Sequence, residues 1–400
     1  MQKSFVKNAI ALAALVVATP VVFAQQGTSS VQLYGIVDAA VRHTNNEGVG
    51  GNSSLTKMIG GGMSQSRWGI NVTEDLGGGL KAIANLENRF LTDSGSTATA
   101  NYWQQSWVGL QGGMGRLTMG RQYNVLFDLV TSTYSSFPYS PYMEAYKPEI
   151  GMSLGARANN MLKYTAEFGA VRGALQYSFD EKDVSGASAK TAGGYLRYSA
   201  NGISAGIGYQ NYELPQNAKV DAWTLGGSYR MNALYFNLGY GQNKLKGTPG
   251  PVDSAIIGGM WGGDTNGGFT RGAADKRQMA KIGFGYQFTP QLNVGMHYYH
   301  AKQSGSPVAS DNGKANFLVA VADYAFSKRT DAYFGVDYTK VKGGSNIVLD
   351  PISRARDRTG ITCCAMRCPA SPMPTRLPTT PALSNCSVLR RCWSKATLAI

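Results

Sequence analysis

Residues 280–300 read AKIGFGYQFTPQLNVGMHYYH. Ala280, Ile282, Phe284, Tyr286 and Phe288 alternate with Lys281, Gly283, Gly285 and Gln287. After Thr289, Pro290 and Gln291, the residues Leu292, Val294, Met296 and Tyr298 alternate with Asn293, Gly295, His297 and Tyr299. A period of two sends successive side chains to opposite faces, so each arm is a strand with one apolar face. The short connection folds the two arms into an antiparallel hairpin. One face is rich in Gly and hydrogen-bonding groups, whereas the other ends in Tyr and Phe, which suits a sheet between lipid and water. A single hairpin leaves a soluble sandwich open as well. Repetition along the chain decides between them.

The pattern does repeat. Strands are predicted near 30–45, 64–74, 80–92, 101–112, 115–123, 159–168, 171–180, 191–200, 203–213, 219–231, 234–245, 276–289, 292–303, 314–327 and 330–343. Alternation is poor over 101–123. Tight connections such as Gly112-Gly113-Met114-Gly115, Ala200-Asn201-Gly202 and Met231-Asn232-Ala233 take turns with longer Gly- and Ser-rich ones. Short turns on one rim and long loops on the other are a membrane-barrel asymmetry that a soluble sandwich has no reason to keep. Residues 358–362 begin a sixteenth strand. An even count lets the last strand meet the first and leaves no edge, and sixteen strands leave an aqueous lumen. The predicted fold is therefore an all-β transmembrane antiparallel β-barrel of sixteen strands.

Composition agrees. Charged residues make up 16 % of the chain, below the ~25 % of soluble domains, while Gly and Tyr number 50 and 22. No apolar run approaches the ~18 residues of a spanning helix. Lys3 and Lys7 precede the apolar run 9–18, and Val22-Phe23-Ala24 offers a cleavage site, so residues 1–24 read as an export signal cut after Ala24. All five cysteines lie beyond residue 360, which leaves residues 25–361 without a disulfide or thiolate metal site. Two cations of the leader and five of the tail account for half of the formal charge of +14, so the middle keeps +7.

Within the barrel the longest early loop, 124–157, holds Phe127, Tyr134, Phe137, Tyr139, Tyr142 and Tyr146. So many aromatics need burial, which folding into the lumen would supply; a compact external cap or a subunit contact is the alternative. Residues 245–275 are long but Gly-rich, and read as exterior. Alternation turns Arg67, Lys81, Arg89 and Lys163 inward, and Asp128, Glu144 and Glu149 lie on the loop. Guanidinium groups at a wet constriction favour anions, although each cation could equally be a solvated residue paired with Glu87 or a loop acid. Catalysis and cofactors find no support. His297 and His300 point to opposite faces of a strand, and no elbow serine, phosphate loop or HExxH motif is present. Neither a helix nor a stacking platform for nucleic acid is evident. The rival class is a barrel without transport, an adhesin or a lipase-type enzyme, which would need a Ser–His pair near one rim.

Several pieces together resemble the general diffusion porins of Gram-negative outer membranes, in their betaproteobacterial branch. They are Ser30-Val31-Gln32-Leu33-Tyr34-Gly35-Ile36-Val37-Asp38, Ser66-Arg67-Trp68-Gly69, Glu74-Asp75-Leu76-Gly77-Gly78-Gly79-Leu80-Lys81-Ala82, Met119-Gly120-Arg121-Gln122, Lys163-Tyr164 and Tyr324-Ala325-Phe326-Ser327-Lys328-Arg329-Thr330. The resemblance implies a homotrimer in outer-membrane lipid and a third loop folded into the lumen. It also implies passive passage of small hydrophilic solutes and inorganic anions. By its pattern Arg67 and Arg89 fit the basic wall of the constriction, Lys163 extends it, and Asp128, Glu144 and Glu149 fit the loop side. The end of the chain departs from the family. Members close with an alternating strand and a terminal Phe read by the barrel-assembly machinery, whereas Ile361-Thr362 runs here into Cys363-Cys364-Ala365-Met366-Arg367-Cys368 and then Pro369, Pro372, Pro374, Pro378 and Pro381. After Gly360 no Gly, Tyr or Phe occurs. Residues 362–400 therefore read as the product of a frame shift, with a disrupted last strand that alternates only over 358–362, that Cys363 to Cys368 extend poorly at best, and that cannot donate ladder bonds at the prolines from Pro369 onward.

Overall fold

The computed structural model describes residues 29–47, 53–98, 101–135, 152–153, 155–180, 189–216, 218–253, 256, 275–306, 309 and 312–343, and the backbone of 357–370. One antiparallel sheet contains β1 (Ser30–Glu47), β2 (Ser53–Ile59), β3 (Arg67–Gly77), β4 (Leu80–Arg89), β5 (Trp103–Gly112) and β6 (Gly115–Tyr123). It continues through β7 (Arg157–Phe168), β8 (Val171–Ser178), β9 (Lys190–Ala200), β10 (Ile203–Glu213), β11 (Lys219–Met231) and β12 (Leu234–Lys246). It ends with β13 (Lys276–Gln287), β14 (Leu292–Ser304), β15 (Gly313–Ser327), β16 (Thr330–Gly343) and β17 (Asp357–Ala370). From β3 onward each strand pairs with its successor, and β17 pairs back onto β1, which closes the barrel.

Seventeen strands fill sixteen places. Both β2 and β3 lie beside β1, with Ala40 opposite Ile59 and Ile36 opposite Arg67, so they are two halves of one barrel strand. Residues 60–66 interrupt it. The sequence reading, which started a strand at 64, missed the first half because the triplet Gly60-Gly61-Gly62 erases the alternation. The tight turns fall where expected, and in one of them Asn201 and Gly202 both take positive φ, 52° and 78°, as a two-residue hairpin turn requires. The weak pattern over 101–123 has a local cause. Gly120 sits at φ 125°, and the β6–β7 register slips between Gly120 and Gln122, a bulge that breaks the period.

Faces follow the alternation. Leu175 and Phe179 are 67 % and 56 % exposed toward lipid, while Gln176 between them is buried. Phe334, Val336 and Tyr338 likewise face out, with Asp337 and Thr339 buried on the lumen side. Among the described residues β15 is apolar on both sides, since Phe317, Val319 and Val321 are buried and Leu318 is exposed.

The closing strand is longer than its five alternating residues. Its ladder runs on past Thr362 through Met366–Ala332 and Arg367–Asp331 on β16, and through Ala370–Gly35 on β1, so the extension over 363–368 pairs on both sides. Ladder bonds join backbone groups and are indifferent to side-chain composition. The change of composition does leave a mark. Both neighbours slip register there, between Tyr333 and Gly335 on β16 and between Ala39 and Val41 on β1. Pro369, which has no N–H, lies past the last β16 pair and opposes only Ile36 of β1.

Candidate functional site: the lumen constriction

Two inserts narrow the lumen. The first is helix α1 (Val125–Thr133), at the start of the loop after β6. Asn124 caps it, its Oδ1 accepting from the Phe127 N–H at 2.8 Å. The Asn124 amide donates to the Ser153 and Gly155 carbonyls at 3.1 and 2.9 Å, so one side chain ties both ends of the loop together. Val125, Leu126, Leu129 and Val130 are fully buried. The helix lies across the inner faces of β8 to β11, from the Gln176 side-chain carbonyl, which accepts from the Val125 N–H at 2.7 Å, to Ser228, which donates to the Thr133 carbonyl. Beyond it Tyr134 enters a slot made by two cross-strand partners, Gly226 and Gly239. A Cβ on either would stand 2.5 or 2.6 Å from the ring, so only glycine leaves room. The Tyr134 hydroxyl meets Thr224 Oγ1 at the end of the slot, and the Lys281 ammonium lies 5.6 Å from the ring centroid. The inward fold expected for loop 124–157 is thus present in its described part; Phe137, Tyr139, Tyr142 and Tyr146 lie outside the described residues.

The second insert, residues 60–66, is one the sequence reading did not anticipate. It turns into the lumen and is held by Asp38, whose carboxylate accepts from the Gly62 and Ser64 N–H groups at 3.1 and 2.8 Å and from the Tyr333 hydroxyl at 2.7 Å. Tyr333 in turn accepts from the Met63 N–H at 2.8 Å. Nearer the long-loop rim of the same wall, Arg42 and Asp337 form a buried ion pair at 3.1 Å. Alternation on β1 and β16 puts both inward. The two are 295 residues apart in the chain, so no local signal reveals the partnership.

Between the inserts lies a basic cluster. Arg67 and Arg89 are direct cross-strand partners on β3 and β4. Arg89 donates from Nε to Glu87 at 3.0 Å, from Nη1 to Gln65 Oε1 at 2.9 Å, and from Nη2 to the Tyr123 hydroxyl. Arg67 Nε donates to the Gln65 carbonyl at 3.0 Å, so Gln65 of the second insert joins the two arginines. Arg157 stacks 4.7 Å over Tyr123, which stacks in turn on Phe127 of α1 at 4.7 Å. Three guanidinium groups act on one carboxylate, Glu87. Arg89 is itself buried, while Arg67 and Arg157 stay partly exposed.

The other expected site residues fall elsewhere. Lys163 and Asp128, which the sequence assigned to facing walls, touch: Lys163 Nζ lies 2.7 Å from Asp128 Oδ2 and 2.8 Å from the Tyr123 carbonyl. The helix brings Asp128 down onto β7 instead of across the lumen. Lys81 pairs with Asp75 and Gln111 beside the short-turn rim, about 26 Å along the strand from Arg89 at ~3.3 Å per residue. Glu144 and Glu149 lie outside the described residues. Gln65, Tyr123 and Arg157 were missed, although the break in alternation before Arg67 marks where Gln65 lies.

The chain resembles known proteins along most of its length. A family model described as Gram-negative porin matches residues 11–344. Outer membrane porin protein 32 of Delftia acidovorans is 34 % identical over 252 residues, 60 % of this chain and 70 % of that protein. An outer membrane porin protein of Bordetella pertussis is 27 % identical over 359 residues, 79 % of this chain and 90 % of that protein. Among solved structures, an anion-selective porin from Comamonas acidovorans superposes with a TM-score of 0.68 at 26 % identity, over 86 % of this chain and 100 % of its own. A sixteen-place barrel, a third loop folded inward and these matches lead to one conclusion: the chain belongs to the Gram-negative porin family of outer-membrane diffusion channels.

Proposed function

We propose that the pore prefers anions among the small hydrophilic solutes it passes, and that Arg67, Arg89 and Arg157 carry the preference. The observation behind this is the gathering of three guanidinium groups around the single Glu87 carboxylate, at the level where both inserts narrow the lumen. Arg67 and Arg157 present charge to water, and Arg89 holds Gln65 and Tyr123 in place. Asp128 does not offset them, because its charge is committed to Lys163. The anion selectivity of the Comamonas porin supports the reading. In a planar bilayer under a salt gradient the reversal potential should take the anion-selective sign, and Arg67→Glu should move it toward cations. Cation preference in the unmutated pore would refute the proposal.

The residue pattern further supports a leader removed after Ala24 and a frame-shifted origin for residues 362–400, and membership of the porin family supports association into a homotrimer. Sequencing of the DNA around codon 362 tests the second point, since another frame should encode an alternating strand ending in Phe.

A further inference from the structure

Below α1, toward the short-turn rim, the lumen wall carries cations that the constriction does not use. Arg172 of β8 and Arg197 of β9 are direct cross-strand partners. Gly206 is the β10 partner of Arg197, and a Cβ there would come within 2.6 Å of Leu129 of α1. That contact fixes the inward direction of the whole row. On β6, Arg116 opposes Thr165, whose β8 partner is Ala174, two positions along the same inner face from Arg172. Arg116, Arg172 and Arg197 all act electrostatically on the Tyr195 hydroxyl, so the three charges share one space.

Like charges directly opposed across a ladder destabilise a sheet, and little nearby offsets these. Glu167 Oε1 lies 2.5 Å from Arg172 Nε, but its side chain is 56 % exposed at the rim. Asp128 also reaches Tyr195, yet it is paired with Lys163. Arg116, whose guanidinium lies 5.8 Å from the Trp107 ring centroid, and Arg197 have no ion-pair partner among the described residues, and Arg197 Nε is buried without a hydrogen bond. With Glu167 counted, the group keeps two positive charges.

We propose that Arg116, Arg172 and Arg197 form a binding site for a divalent tetrahedral oxyanion of the phosphate or sulfate class, in the periplasmic half of the pore and separate from the constriction. The planar fork of each guanidinium matches such oxygens two at a time, and the charge of the anion balances that of the site. The inference rests on the reading of the molecule as a pore. Phosphate would dwell there and impede chloride, whereas monovalent anions would pass.

The test is a titration of the full 400-residue chain, refolded in detergent, with inorganic phosphate by calorimetry. Phosphate is also added in steps at constant chloride, from either side of a bilayer holding the channel. Saturable heat and a saturable fall in chloride conductance are expected. Arg197→Gln should weaken both about tenfold, equivalent to ~1.4 kcal/mol, and Arg197→Lys should recover only part of the loss. Lys342→Gln removes a cation at the opposite rim and should leave phosphate affinity within about twofold, as for charges separated by far more than the ~8–10 Å Debye length. Absence of saturable binding, or equal affinity in Arg197→Gln and the unmutated chain, would overturn the site. The reversal potential in chloride alone decides the anion preference separately, so the two proposals fail independently.

Discussion

Replacing Tyr134 by Ala isolates the seat of α1 from the wall that holds it. The ring is fully buried between Gly226 and Gly239. Truncation of a buried aromatic costs about 3–5 kcal/mol, and the empty slot cannot collapse because both its walls are strand backbone. The hydroxyl contact with Thr224 and the Lys281 ammonium 5.6 Å from the ring go with it, which adds about 1–2 kcal/mol. The loss falls on the docking of the loop and not on the barrel, whose ladder bonds are untouched. At ~1.4 kcal/mol per decade, a combined loss of about 4–7 kcal/mol raises the undocked population roughly three to five decades. Single-channel recording should then show higher conductance and added current noise, with heat-modifiable migration on gels retained. Conductance and noise equal to those of the unmutated channel would refute the view that Tyr134 anchors the constriction.

Two further perturbations probe the second insert and the closure. Asp38→Ala removes a buried carboxylate that accepts three hydrogen bonds, each of a charge-assisted kind worth about 1.5–3 kcal/mol. Current noise should rise and the reversal potential should shift, because Gln65 no longer holds Arg67 and Arg89; an unchanged current trace would show that the insert is held by other contacts. A stop codon after Thr362 deletes the part of β17 that pairs with Gly35 to Ala39 and Val41 and with Asp331 to Tyr333, leaving strand edges in hydrocarbon at several kcal/mol per unsatisfied group. The shortened chain should give much less heat-modifiable protein than the 400-residue chain, and equal yields would mean that the last ladder contributes nothing.

The strands and their two faces were legible in the sequence because both are local. A backbone in extended conformation must alternate its side chains, and a wall between lipid and water must segregate them. Leu175 and Gln176 on β8 could therefore be assigned to opposite faces without a structure. On β16 the principle holds residue by residue, with Phe334 and Val336 out and Asp337 in. The inward set that includes Arg67, Arg89 and Lys163 was readable for the same reason. What each inward side chain meets was not. Lys163 finds Asp128 because α1 crosses the wall there, and Arg89 finds Gln65 because β2 and β3 share one place beside β1. Arg42 meets Asp337 only when the last strands come round to the first. Gly226 and Gly239 become a slot only when their register sets them side by side. Partners of this kind depend on register and closure between strands far apart in the chain, which local alternation leaves free and only the closed barrel decides.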